Sequence, residues 1–387
     1  MLMATNGVII GLTRFVQYQS FVMLFSVLAV YYFSLALKQS RWKTSGIYAG
    51  MLSWAAALLT HYDGIFIAPF ALYLLYRWYM QDAGLPASTR LKRLAMPGAL
   101  SALVLLSFYV PFFTSVDQST LDYWLFRFTE TSEVLKPSSS IFTFNLYNPL
   151  FSLYFYCLAG LFAFLKIKPA LPALAWFLFP WIVLEVVLRE PGTHIYTYLL
   201  PAFILVALGL VAFEELLVNG LGSRPGRILA IGLIVACFAF IASLDHFIFV
   251  DNTPEYPWMA RRFLFWKLGG LTNPEYQVWT YGFPYYRHWD EVREYVMSHD
   301  PNGYYSTNEE KEISNYYIPM PTDIDRSGYY IHIYCPLDLK ERLEKDKICY
   351  WMKNHPPVKE FKNGGLVVTQ IYLMPEGDIT EIRNRGY

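Results

Sequence analysis

The sequence predicts a polytopic α-helical membrane bundle followed by a small extracytoplasmic α/β domain. Three observations predict it. The 387-residue chain is 55% hydrophobic and 18% aromatic with only 16% charged residues, a composition outside the range of soluble domains. Apolar runs long enough to cross a bilayer follow one another as far as residue 249 and then stop. Beyond residue 250 charge rises, and short strand-like pieces alternate with polar amphipathic ones.

The predicted spans are 15–37, 45–60, 64–81, 94–113, 147–166, 170–188, 195–217 and 227–249. The second and third are separated only by the HYDG turn, and together they are too long for one crossing, so a tight hairpin is expected there. Basic residues give the bundle a direction. Lys38, Arg41 and Lys43, then Arg77, Arg90, Lys92 and Arg93, then Lys166 and Lys168, then Arg224 and Arg227 fall in one set of connections. The alternate connections hold only Arg127, Lys136 and Arg189, so the first set is cytoplasmic by the positive-inside rule.

That phase collects polar residues on the outer side. LLTHYDGIFIAPF (58–70) places His61, Tyr62 and Asp63 side by side between two apolar runs, where only the membrane interface solvates them cheaply. One reading makes HYDG a hairpin cap eased by Gly64, the other a wall of a site. Arg14, Gln17, Tyr18 and Gln19 open the first span on the same side, and Asp117, Asp122, Arg127, Glu130 and Glu133 populate the long loop. Within that loop LDYWLFRF (121–128) has the spacing of an interfacial helix. In REPGTHIYTY (189–198), Pro191 and Gly192 break the backbone just before His194, Tyr196 and Tyr198 enter the seventh span, and such breaks border protein-lined cavities. His194 suits either a phosphate contact or a hydrogen bond to a neighbouring helix.

The C-terminal region reads as YQVWTYGF (276–283), HWDEVREYVMSH (288–299), YYSTN (304–308), EEKEISNYY (309–317), YYIHIYC (329–335), DLKERLEKD (338–346) and LVVTQIYLM (366–374), an alternation of strands and helices. The domains are therefore 1–249 and 250–387, with Asn363 an exposed turn residue of the second. No glycine-rich phosphate loop supports nucleotide binding there, so covering the outer face of the bundle is the expected role. Cys157 and Cys237 fall in spans as packing residues, and Cys335 with Cys349 is permitted, not required, to form a disulfide. No CxxC, HExxH or dense carboxylate motif marks a metal. No cofactor is predicted, although the residues leave room for a divalent metal. With 31 basic and 31 acidic residues, no charge excess points to nucleic acid.

GLTRFVQYQSFVMLFSVLAVYYF (11–33), the LLTHYDGIFIAPF hairpin, GTHIYTYLLPAFILVALG (192–209), YGFPYYRHWDEV (281–292) and YYSTNEEK (304–311) together resemble glycosyltransferase family 39. These are polytopic GT-C enzymes of bacteria and archaea, including protein O-mannosyltransferases and lipid A aminoarabinose transferases. The resemblance implies a GT-C bundle in a prokaryotic cell membrane. It also implies transfer of a sugar from a polyprenyl-phosphate donor to a protein, lipid or glycan acceptor outside the cytoplasm.

In such an inverting transfer a carboxylate takes the acceptor hydroxyl's proton while donors stabilise the departing lipid phosphate. Arg14 and His194 are then the phosphate partners. His61, Tyr62 and Asp63 line the sugar or acceptor side with Tyr18 and Tyr196, and Gln17 and Gln19 are set to bind sugar hydroxyls. The chain begins at a stretch resembling the region after the family's second or third span, so the external loop carrying the family's acidic motif, and with it the base, is expected to be missing; only in a complete chain does Asp63 stand as substitute base. The competing expectations are a transporter or flippase of a lipid-linked sugar, and an inactive fragment; a transporter would carry polar residues through to the cytoplasmic side.

Overall fold

In a computed structural model, described here for residues 1–14, 17–38, 41, 43–81, 86–129, 146–188, 192–270, 282–300, 303–324, 326, 328–336, 345–375, 378 and 382, the chain divides by its contacts into Met1–Ser243 and Leu244–Tyr387. Glu130, Glu133, Lys136, Arg189, Pro191, residues 276–281 and 338–344 of the sequence reading lie outside the described residues.

The first unit is helical: α1 (Gly7–Thr13), α2 (Gln19–Lys38), α3 (Ser45–Thr60), α4 (Ala68–Gln81), α5 (Ala87–Ser115), α6 (Gln118–Thr129), α7 (Phe151–Phe162), α8 (Ile167–Trp181), α9 (Tyr196–Leu221) and most of α10 (Ser223–Phe249). Among the described residues five helical stretches are long and apolar enough to cross a membrane, namely Gln19–Lys38, Ala87–Ser115, Tyr154–Val187, Thr193–Leu221 and Ser223–Phe249, with Ser45–Thr60 a shorter apolar helix. The runs at 147–166 and 170–188 are two helices, α7 and α8, that meet at the 3-10 turn Ala163–Lys166, where Lys166 leaves the helical region at φ −123° and ψ 50°; α7 follows α9 from Phe203 to Phe213 and α8 returns to Tyr198, widening to a π-helix at Ile182–Val187. The predicted interfacial segment 121–128 is helical within α6.

Helix α9 is the axis of this unit. Its apolar window is 61% buried, against 11% for α5, so α9 is wrapped by protein while α5 offers Leu103, Leu106, Val110 and Phe113 outward, as a lipid-facing helix does. Close approach depends on Gly209, where an added Cβ would lie 1.6 Å from the carbonyl oxygen of Ala159 on α7. At the α3–α4 junction Gly64 has the same function, since a Cβ there would meet the backbone nitrogen of Leu58 at 2.7 Å.

The second unit holds the end of α10, the hairpin β1 (Arg261–Phe263) and β2 (Trp266–Leu268), and a four-stranded sheet in the order β3 (Tyr305–Thr307), β4 (Tyr329–Ile333), β6 (Leu366–Leu373), β5 (Lys359–Asn363). The pair β3–β4 is parallel and the others antiparallel. Period-two alternation splits the sheet between two cores. Tyr329, Ile331, Ile333 and Ile371 pack with Trp289, Val292 and Val296 of α11 (Trp289–His299), and Tyr330 and Tyr372 pack with Ile348 and Trp351 of α13 (Lys345–Asn354). The predicted helix at 309–317 is α12 (Lys311–Tyr317). Strand β5 was not expected from the sequence; it joins β6 through Gly364 and Gly365 at φ +53° and +86°, the conformation a two-residue hairpin loop requires.

Asn363 corrects an expectation. It is 7% exposed, its amide donating to Glu255 Oε1 at 2.8 Å and its Oδ1 paired with His288 Nε2 at 2.8 Å. Glu255 in turn pairs at 3.0 Å with the buried Arg287, whose guanidinium lies 4.0 Å over the Tyr285 ring. Burial pushes the Tyr285 phenol up from its ordinary pKa, and the Glu309 carboxylate that accepts its hydrogen bond adds to the shift. All four cysteines are free thiols, with Cys157 exposed and the others partly buried.

Candidate functional site

Of the polar residues in the outer-side reading, those of 17–19, 61–63 and 193–196 converge at the junction of α3, α4 and α9, while Asp117 and Asp122 bond within their own segment at the start of α6. Helix α3 ends at Thr60, and His61 caps it in an extended conformation, its N–H bonding the Ala57 carbonyl at 3.1 Å. The chain then forms a 3-10 turn, Tyr62–Ile67, whose Gly64 carbonyl accepts from Trp54 Nε1 at 2.8 Å. This turn drives Asp63 inward. It is 1% exposed, while Tyr62 is 46% exposed, so the expectation of a water-solvated HYDG holds for the tyrosine and fails for the aspartate.

Asp63 is solvated by protein instead. His194, on the 3-10 turn Gly192–Ile195 that leads into α9, donates Nδ1–H to Oδ2 at 2.6 Å, and Tyr196 donates its hydroxyl to the same oxygen at 2.7 Å. His61 Nδ1 stands 3.3 Å from Oδ1 and accepts the Asp63 backbone N–H at 3.2 Å. Burial pushes the Asp63 carboxyl up, yet the hydrogen bond that His194 donates, with the His61 imidazole beside it, holds it well below the usual carboxylate range. Asp63 Oδ1 is buried and makes no hydrogen bond.

Aromatic rings cover this centre. Tyr18 stacks on His61 with centroids 3.7 Å apart and an interplanar angle of 4°, and Tyr62 flanks the same imidazole at 3.8 Å. The rings of Tyr18, His61 and Tyr62 lie 6.1, 5.5 and 6.2 Å from that of His194. Beside them Gln19, fully buried, donates Nε2–H to Gln17 Oε1 at 2.8 Å and to Thr193 Oγ1 at 3.2 Å, leaving its own Oε1 buried without a partner. Gln17 and Arg14 are exposed, Arg14 at the C-terminal end of α1.

The structure thus joins Tyr18, His61, Tyr62, Asp63, His194 and Tyr196 in one cluster and sets Gln17 and Gln19 against the turn that carries His194. Within it Tyr196, fully buried, and Asp63 orient the ring of His194, while Tyr62, Tyr18 and the edge of His61 are the accessible parts. Sequence reasoning missed Glu185. It is 5% exposed, sits in the π-helical segment Ile182–Val187, and accepts the Tyr198 hydroxyl at 2.8 Å. A single acid inside an apolar run gives no periodic signal, although an ionisable residue at membrane depth is itself a pointer to a specific partner. No protein-family model, curated protein or solved structure matches the chain.

Proposed function

We propose that the protein is a membrane glycosyltransferase of the GT-C type, moving a sugar from a polyprenyl-phosphate donor to an acceptor on the extracytoplasmic side. The observation that carries the reading is the convergence of His61 and Asp63 with His194 and Tyr196, from segments 131 residues apart, at the ends of apolar helices. A reaction between a lipid-anchored phosphate and a water-borne acceptor needs such a polar centre at the edge of an apolar bundle, where the polyprenyl chain stays in lipid and the headgroup reaches protein donors.

Asp63 binds Nδ1 of His194 and thereby turns Nε2 to the opposite edge of the ring, where the doubly protonated imidazole donates to the phosphate leaving the sugar. Arg14, exposed at the C-terminal end of α1, is assigned the second phosphate contact from its place in the sequence. The aromatic faces of Tyr18 and Tyr62 suit the apolar face of a sugar ring, and Gln17 suits its hydroxyls. The burial of Asp63 makes it a positioning group for the His194 imidazole.

The test is transfer of radiolabel from polyprenyl-phosphate sugars to acceptors by the protein in proteoliposomes, with headgroup translocation measured in the same vesicles. Label transferred, and reduced by roughly 10²-fold or more in His194→Gln, supports the reading. Translocation without transfer makes the protein a flippase, and neither activity across a panel of sugars removes the glycosyltransferase assignment.

A further inference from the structure

We propose that His61, Asp63 and His194 bind a divalent cation of the zinc type, leaving coordination positions for water or an anionic oxygen. This stands apart from the glycosyl-transfer reading and is tested without it. The three residues each offer a ligand atom, and these atoms lie within 4.8 Å of one another, with His61 partly exposed and the other two buried.

Two details point to a cation. Asp63 Oδ1 is buried without a hydrogen-bond partner, and a carboxylate oxygen out of water needs one. His61 Nδ1 stands 3.3 Å from it, and that nitrogen already accepts the Asp63 backbone N–H at 3.2 Å. Ligation by His61 Nδ1 takes over the lone pair that now accepts the backbone N–H, and the ion then stands between that nitrogen and the unpartnered carboxylate oxygen. Two ligands on a tetrahedral ion with bonds of about 2.0–2.1 Å stand roughly 3.3 Å apart, the spacing found.

His194 completes the set. Its Nδ1 holds a hydrogen bond to Oδ2 at 2.6 Å; ligation by the same nitrogen moves the proton to Nε2 and widens the separation by well under an ångström. Tyr196 keeps its bond to Oδ2 and orients the carboxylate, as outer partners of metal ligands do. Two imidazoles and one carboxylate select Zn²⁺ or Co²⁺ over Mg²⁺ and Ca²⁺, which prefer oxygen-only cages. Three protein ligands also match the open sites in which zinc polarises a bound oxygen.

The experiment uses the protein carrying a tag without histidine, stripped with chelator and held in nanodiscs. Co²⁺ is titrated in and its visible absorption followed, with Zn²⁺ as competitor. The expected result is one Co²⁺ per chain with the strong absorption of a low-coordinate site, displaced by Zn²⁺. His61→Ala removes a ligand and should weaken that binding by more than about 100-fold, the upper reach of losing an outer-shell partner. The other five histidines of the chain set the background, which Asp63→Asn shares and therefore subtracts. Absence of stoichiometric binding to the unsubstituted protein at micromolar Co²⁺ overturns the proposal, as does binding that both variants leave unchanged. The first of these readouts needs no variant, so a failure of His61→Ala to fold leaves the proposal open to refutation.

Discussion

Asp63 and His194 stand 2.6 Å apart, oxygen to nitrogen, across 131 residues of sequence. The carboxylate serves two imidazoles and one phenol at once, in a place with 1% exposure. Removing one member of such a group leaves the others buried without compensation, which is costlier than never having built it.

Asp63→Ala should therefore destabilise the protein by about 3–5 kcal/mol, the range for breaking a buried charged pair. Asp63→Asn, which keeps an acceptor for Tyr196 but turns an amide toward an imidazole, should cost about 1–3 kcal/mol. Thermal unfolding in detergent reads both, and equal midpoints for the two variants would contradict this account of the charge.

Tyr196→Phe removes one of the two hydrogen bonds to Oδ2 without adding volume. A loss of about 1.5–3 kcal/mol is expected for a bond to a charged group. Combined with Asp63→Asn the two effects should fall short of additivity by more than about 0.5 kcal/mol, because both act through one oxygen. Strict additivity in the double-mutant cycle would separate Tyr196 from the cluster.

Gly209→Ala places a methyl 1.6 Å from the Ala159 carbonyl, which nothing short of moving α7 off α9 relieves. Overpacking of this kind costs about 1–3 kcal/mol or more. The thermal midpoint of Gly209→Ala should drop, and that of Gly232→Ala, where an added Cβ meets nothing within 4 Å, should not.

The second unit should be outside the cytoplasm if the Lys/Arg alternation sets the orientation. Tyr316 is 82% exposed, so Tyr316→Cys in intact cells should react with a membrane-impermeant maleimide above the level of the unsubstituted protein. Reaction only after lysis would reverse the orientation.

Much of this was legible in the sequence because apolar length and polar interruption are local signals. Residues 45–60 were read as a helix and form one, and His61, Asp63 and His194 were singled out because each interrupts a greasy run. Their mutual pairing was not legible, since no spacing rule links position 63 to position 194. Gln19 was read as a group set to bind sugar hydroxyls and is fully buried, with Thr193 and Gln17 taking its amide hydrogens. Strand β5 was invisible for a different reason. KEFKN carries one hydrophobic residue, and the strand lies at the edge of its sheet, where charged side chains replace the alternation that betrays an interior strand.

The two tyrosines at the start of α9 have a consequence of their own. On a helix of 3.6 residues per turn, positions 196 and 198 point about 200° apart. Tyr196 is tied to Asp63 beside α3, and Tyr198 to Glu185 in the π-helical end of the preceding stretch. Opposed tethers of this kind fix the helix in azimuth: turning α9 either way about its long axis stretches one bond while relaxing the other. A single residue inserted between Ile195 and Tyr196 swings His194 by about 100° relative to both anchors, so the bearing of that imidazole is set by the count of residues as much as by their kind.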